Sequence, residues 1–384
     1  MKKILALILA AVMVLGLAAC AAKSEPAAPA EEAAPAEAAA PAEEAAPAEE
    51  AAPAEEAAPA EEAAPAADAL PGEGITIGVV YKQSGNAYFQ AGVDGFQQAA
   101  DELGFTFMHD GPDDSSNDGQ ERIIRNYIDQ GVDVLCISAN DAAGLVDVCN
   151  EARDAGIKVL SWDAKVDPEG RDLDIEPSSA KNIGLTQLEF IAGEMGYEGQ
   201  LAIVSAGATA PNQNLWISFI EEALENDSTY ANIEFVGTVY GDDDYTKSYD
   251  VTKALIDQYP DLKGVIVPTT NGAPAVAKCI IDEGKDDQIK MTGLTLAHDM
   301  AEYIHGGVAP ATFLWNPIEL GYVSAYVAVA MVNEEFAAEN GATIEIPGFE
   351  GLTVEESDDG GLILFLNKLN KFDDSTVDAW IDIL

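Results

Sequence analysis

The sequence predicts an α/β protein of two doubly wound parallel-sheet lobes, preceded by a disordered N-terminal tether. Three observations carry this. Strand-like apolar runs alternate with amphipathic helical patterns at intervals of about 25 residues, the alternation passes through two successive series, and the segment before residue 73 shares none of it.

In the first series, strand-like runs cover 75–81, 105–108, 134–138 and 158–162, and helical patterns cover 88–103, 119–130 and 142–155. The run ITIGVV has no polar face, as a strand covered on both sides requires. The second series places strands at 201–205, 233–239, 264–267 and 290–294, with helices at 214–224, 245–258 and 273–283. Glycine stands where a helix must turn back into a strand, as in Asp154-Ala155-Gly156-Ile157. Such strand–helix–strand arithmetic implies parallel sheets with right-handed crossovers.

The chain opens with Lys2 and Lys3, continues apolar over 4–16 and reaches Leu17-Ala18-Ala19-Cys20. That stretch reads as a signal peptide over 1–19, too short for a mature membrane span. The last four residues resemble the bacterial lipobox, which implies that Cys20 carries diacylglycerol and fixes the chain to the outer face of the cell membrane. Residues 20–72 form the anchor and tether, almost entirely Ala, Pro and Glu, with prolines at 29, 35, 41, 47, 53, 59 and 65. Proline every sixth residue interrupts a helix, the glutamates repel one another, and no side chain is large enough for a core. At roughly 3 Å per residue such a spacer reaches on the order of 100 Å.

The chain has a formal charge of −49, and without the signal peptide and tether 55 acids stand against 16 bases. A surface of that sign repels nucleic acid and anionic lipid. Beyond Cys20 there remain Cys136, Cys149 and Cys279, an odd number on apolar patterns, expected as buried free thiols. His109, His298 and His305 are scattered, and no metal spacing, nucleophile elbow, P-loop or dinucleotide turn is present, so no metal, cofactor or catalytic residue is expected.

Two doubly wound sheets in succession bring two rows of strand carboxyl ends face to face, and open α/β sheets bind ligands there. Polar and aromatic residues collect after the expected strands. Lys82, Tyr88 and Phe89 follow the first, Asn140 and Asp141 the third, and Trp162 and Asp163 the fourth. In the second series Asn212, Gln213 and Trp216 follow the first strand, Tyr240 and Asp242 to Asp244 the second, and Thr269, Thr270 and Asn271 the third. Carboxylates and amides suit adjacent hydroxyls, and flat aromatic faces suit the C–H side of a sugar ring. Asp244 serves equally as the cap of the helix that begins at Tyr245, and a lone tryptophan serves equally as core. Phe372 and Trp380 read as packing residues.

Residues 73–384 resemble the type I periplasmic binding proteins of sugar ABC importers, in the branch that holds rhamnose-binding and autoinducer-2-binding proteins. The likeness lies in HDGP at 109–112, GVDVLCISANDAAGL at 131–145, KVLSWDAKVDP at 158–168, APNQNLW at 210–216, YPDLKGVIVP at 259–268 and FLWNPIELGY at 313–322, which contains Trp315. The resemblance implies a ligand held by Lys82, Asp163, Gln213 and Pro268, with Asn212 where the autoinducer-2 receptors have aspartate and Thr270 where they have alanine. It implies a multi-strand hinge crossed three times, returning near His298 and near the helix after Pro317. The expected lobes are 73–165 with about 299–330, and 166–298 with about 331–384. The partners implied are a sugar-like ligand, autoinducer-2 or a monosaccharide such as rhamnose, and a membrane permease, the protein itself being a monomer that binds no nucleic acid. A sensor that presents its ligand to a membrane kinase, and a wall-anchored carbohydrate-active enzyme, are the alternatives.

Overall fold

The computed structural model describes residues 69–384; the expected signal peptide, Cys20 and the tether up to residue 68 lie outside the described residues. The first lobe starts with β1 (Thr76–Val80), α1 (Ala87–Leu103), β2 (Thr106–Asp110), α2 (Asn117–Gln130), β3 (Val134–Ile137), α3 (Val146–Asp154), β4 (Lys158–Trp162) and β5 (Leu173–Glu176). The second contains α4 (Ala180–Glu194), β6 (Glu198–Ser205), α5 (Pro211–Asn226), β7 (Asn232–Tyr240), α6 (Tyr245–Gln258), β8 (Leu262–Val267), α7 (Gly272–Asp282), β9 (Lys290–Gly293), α8 (Ala297–His305) and β10 (Ala311–Leu314). The chain then returns as α9 (Pro317–Val332), β11 (Thr343–Ile346), β12 (Phe349–Glu356) and β13 (Leu362–Phe365), and ends with β14 (Asn370–Asp373).

Local chemistry sets the element ends. Asn86 caps α1 by accepting from the Tyr88 amide, Ser116 caps α2 from Gly119, and Asp244 caps α6 from Lys247. Gly104 and Gly131 end α1 and α2 with φ of 80° and 73°, a conformation that costs other residues a Cβ clash.

The first sheet runs β11-β12-β13-β5-β4-β3-β1-β2 and the second β7-β6-β8-β9. β1 to β5 are parallel, as are β6 to β9, and all but the edge strands β2 and β7 are buried from both faces over most of their length. This is the type I periplasmic-binding-protein architecture. α9 lies against α1 at very short range, because a Cβ on Gly95 would fall 2.0 Å from the Ile318 carbonyl oxygen and one on Gly321 2.0 Å from that of Gly92. Trp162, fully buried, fills the space under this crossing beside Phe96.

The sheets divide the chain at other points than expected. β5 belongs to the first sheet because it zips along β4, burying Leu173 and Ile175 under the first-lobe core. β13, apolar at LILF, finds the free edge of β5 and runs parallel to it, with β12 and β11 completing the edge. α8 stays in the second lobe, packed on α7 and β10, and Leu294 after β9 bridges to Phe313. The three crossings therefore fall between β5 and α4, between β10 and α9, and between β13 and β14; none lies near His298. Cys136, Cys149 and Cys279 are buried and free, with burial pushing all three thiols up.

Candidate functional site

The carboxyl ends of both sheets flank a small cavity. From the first lobe, Lys82, Asn86, Tyr88, Phe89 and Asp163 line it; from the second, Asn212, Gln213, Trp216, Asp243, Pro268, Thr269, Thr270, Leu294 and Leu314; Trp315 closes it at the crossing into α9.

Asp163 is 3% exposed and thoroughly partnered. Tyr88 Oη donates to its Oδ1 at 2.6 Å, Ser138 Oγ donates to its Oδ2 at 2.7 Å, and Trp315 Nε1 donates to Tyr88 Oη at 2.7 Å. Burial, reinforced by the Asp163 charge, pushes the Tyr88 phenol well up, so the hydroxyl keeps its proton and remains a donor. Lys82, 2% exposed, reaches across the cleft and donates to Asn212 Oδ1 at 2.7 Å and Gln213 Oε1 at 3.2 Å. Burial lowers its pKa, against Asp163, Asp243 and Glu176, which favour the charged form. Asn212 Nδ2 donates back to the Asp163 carbonyl at 3.2 Å, and Thr209 Oγ1 donates to the Asn140 carbonyl at 3.2 Å. The lobes thus meet directly, and the cleft is closed.

Opposite the charged wall, Asp243 accepts from Thr269 Oγ1, and Thr270 Oγ1 lies 3.5 Å from Asn86 Oδ1. Burial raises the Asp243 carboxyl, with the Thr269 bond and Lys82 opposing. The ends of β8, β9 and β10 supply an apolar edge of Pro268, Leu294 and Leu314.

Of the residues singled out in the sequence, the structure brings Lys82, Tyr88, Phe89, Asp163, Asn212, Gln213, Trp216, Asp243, Pro268, Thr269, Thr270 and Trp315 to one cavity. The others, Tyr240 among them, sit elsewhere. Asn140 Nδ2 donates to the Lys82 carbonyl at 2.9 Å, holding the lysine's backbone, and Asp141 accepts from the Gly144 amide at 2.9 Å as a turn cap. Trp162 is core, since its side chain points to the helix face of β4. Asn271 turns away to the Asp243 carbonyl at 3.1 Å. Of the acidic run, Asp244 caps α6 and Asp243 alone lines the cavity. Leu294 and Leu314 escaped sequence reading because an apolar residue at a strand end has the signature of core; Asn86 was legible only as a helix cap.

Such a cleft, walled by hydrogen-bonding groups from both lobes, suits a small polar molecule. Residues 77–335 match the family model described as periplasmic binding protein domain, and the chain belongs to this family, which supplies the extracytoplasmic solute-binding proteins of ABC transporters. A solved solute-binding protein of an ABC transporter from Clostridium phytofermentas, with bound L-rhamnose, is 32% identical, with a TM-score of 0.79 over 81% of this chain and 99% of that one. A sugar ABC transporter structure from Actinomyces odontolyticus is 31% identical, with a TM-score of 0.64 over 80% and 97%. LsrB from Clostridium saccharobutylicum, in complex with AI-2, shares the fold at 23% identity and a TM-score of 0.73 over 80% and 99%. Among curated proteins, the D-ribose/D-allose-binding protein of Pseudomonas aeruginosa is 25% identical over 56% of this chain and 69% of its own length. These relatives are sugar-binding proteins of transport systems.

Proposed function

We propose that the protein is the lipid-anchored capture component of an ABC importer, a monomer held at the outer face of the cell membrane through Cys20, and that its ligand is a small sugar-like molecule with one apolar edge. The carrying observation is the division of the cavity: hydroxyl-bonding groups on two sides, and Pro268, Leu294 and Leu314 on a third. A ligand hydroxyl pair meets Asp163 and Lys82 from the first lobe and Asn212, Gln213 and Asp243 from the second, while Phe89, Trp216 and Trp315 cover ring C–H groups. A fully hydroxylated hexose would strip the water from one hydroxyl against the leucines without replacing it. A 6-deoxyhexose such as L-rhamnose places a methyl there, as does the methyl of autoinducer-2.

Between these, two residues favour the monosaccharide. Asn212 donates to the Asp163 carbonyl, which the aspartate of the autoinducer-2 receptors cannot do, and Thr270 brings a hydroxyl where those receptors have a methyl. A ligand gripped from both lobes stabilises the closed form, and that difference is what a permease reads.

Thermal shift and calorimetry with L-rhamnose, L-mannose, D-arabinose and autoinducer-2 test the reading. L-rhamnose is expected to raise the melting temperature most, to bind more tightly than its 6-hydroxy counterpart L-mannose by about 10–200-fold, and to be recovered unchanged. Preference for L-mannose, or turnover of the sugar, removes the proposal. Anchoring is checked by Cys20→Ala, which is expected to leave the protein unprocessed or released to the medium.

A further inference from the structure

Asp163 adopts a φ of +66°, rare for a residue with a Cβ, and the Ala164 amide donates to the Trp162 carbonyl at 2.7 Å across it. The result is a tight γ-turn of the strained hand, which persists only where the surroundings over-determine it. In front, Tyr88 and Ser138 hold the carboxylate. Behind, the chain leaving the turn is fixed at each step: Ala164 accepts from the Ala139 amide at 2.9 Å, the Val166 amide donates to Ser161 Oγ at 2.9 Å, and Arg171 Nη1 donates to the Val166 carbonyl.

Both cations of this segment end on one carboxylate, 194 residues from Lys165 in the chain. Asp359, at the tip of the β12–β13 hairpin, bonds Lys165 Nζ at 2.6 Å and Arg171 Nη2 at 3.1 and 3.2 Å, and the Arg171 side chain is 1% exposed. The tip is shaped for the contact. The Gly361 amide donates to Asp359 Oδ1 at 2.9 Å, and a Cβ on Gly361 would fall 2.6 Å from Arg171 Nη2. Against the cost of burial, the bonds from Lys165 and the Gly361 amide hold the Asp359 carboxyl well below the usual carboxylate range.

We propose that Asp359 is a positioning residue for Asp163: by pinning Lys165 and Arg171 it keeps the strained turn in the shape that presents the Asp163 carboxylate to the cavity. The inference rests on the reading of that cavity as a sugar site, but its geometry does not depend on which sugar binds. It gives the late β11–β13 hairpin a function beyond closing a sheet edge.

A sugar-free readout exists, because Trp315 Nε1–H donates to Tyr88, which donates to Asp163. The chain holds four tryptophans, so its indole N–H resonances are few and assignable by substitution. In Asp359→Asn the Trp315 indole signal is expected to move in the direction it moves in Asp163→Asn, while that of Trp380, packed on Phe372 in the other lobe, stays. Asp359→Glu should restore it in part. Calorimetry with L-rhamnose is expected to give about tenfold weaker binding in Asp359→Asn, and the double variant is expected to bind no more weakly than Asp163→Asn alone. Should Asp359→Asn fail to fold, Lys165→Met, at a side chain 19% exposed, enters the same spectrum. An unmoved Trp315 signal, or losses that add in the double variant, overturns the proposal. A Trp315 shift in a protein that binds no L-rhamnose leaves the positioning intact and removes the sugar reading instead.

Discussion

The two lobes wall one cavity with different chemistry. Among the described residues, the most deeply buried charged side chains, Lys82, Asp163, Arg171, Asp174 and Glu176, belong to the first lobe, whereas the second brings one partly buried carboxylate, Asp243, among neutral hydroxyls and amides such as Ser205, Asn212, Gln213, Thr269 and Thr312. A buried charge is costly unless paired: Asp163 is bonded within the first lobe to Tyr88 and Ser138, and Lys82 across the cleft to Asn212 and Gln213. Neutral groups can pass between water and a partner at little cost. The comparison assigns the fixed, preorganised half of the cavity to the first lobe and the half that trades water for ligand on closing to the second.

The largest effect expected tests the cost of the first lobe's charges. Asp174 is fully buried with no partner at either oxygen, and burial raises its pKa to about 6, against Arg171 and Lys165 and with Asp359 and Asp163 adding to the rise. A carboxyl whose folded pKa exceeds its unfolded one binds its proton more tightly in the native state. Its stabilising contribution is therefore complete below about pH 4 and lost as pH rises through about 6. Asp174→Asn, which is neutral throughout, should narrow the difference in unfolding free energy between pH 4 and pH 7 by on the order of 2–3 kcal/mol. Denaturant melts of both proteins at the two pH values check this, and an unchanged difference means that the carboxylate is solvated.

Next in size is the loss of the partnered charge. Asp163→Ala should weaken sugar binding by about 1.5–3 kcal/mol, one to two decades, with Gln213→Ala on the opposing lobe costing less because its amide is neutral. Calorimetry beside melting curves separates lost binding from lost fold. Equal losses at the two positions contradict the assignment of fixed charge to one lobe. On the second lobe's apolar edge, Leu294→Asn should shift preference from L-rhamnose towards L-mannose by about 1–2 kcal/mol, read from competition between the two sugars.

The sequence made the repeating core legible, and the late returns of the chain far less so. Runs such as ITIGVV and the capped amphipathic helices obey local rules, and β1 to β4, β6 to β9 and the helices α1, α2, α5, α6 and α7 stand close to where those rules put them. β5 is four residues, LDIE, with alternating acids that read as surface; it is a buried strand only because β4 and β13 pair with it. β13 likewise depends on an edge far away in the chain, so no local pattern could assign it to the first lobe. The cavity followed the same division. Polar residues at strand ends stood out, whereas Trp162 and Trp315 are alike in sequence and differ only in the face their backbone presents.

The smallest effect expected concerns closure itself. Thr209 Oγ1 donates to the Asn140 carbonyl from one lobe to the other at 3.2 Å, at an exposed side chain outside the cavity lining. Thr209→Val keeps the shape and removes the donor. An exposed neutral bond is worth about 0.5 kcal/mol net, since water replaces it when the lobes part. The closed state would lose that much, and apparent affinity, which scales with the population of the competent form, would fall by about a factor of two. The melting temperature should not move, because each lobe keeps its own core. A much larger loss, comparable with that of Asp163→Ala, would mean that direct lobe-to-lobe bonds set the closing equilibrium, and that the first lobe's preorganised charge is secondary to them. Small-angle scattering of the sugar-free variant distinguishes the two, since only a shift in that equilibrium changes the mean separation of the lobes.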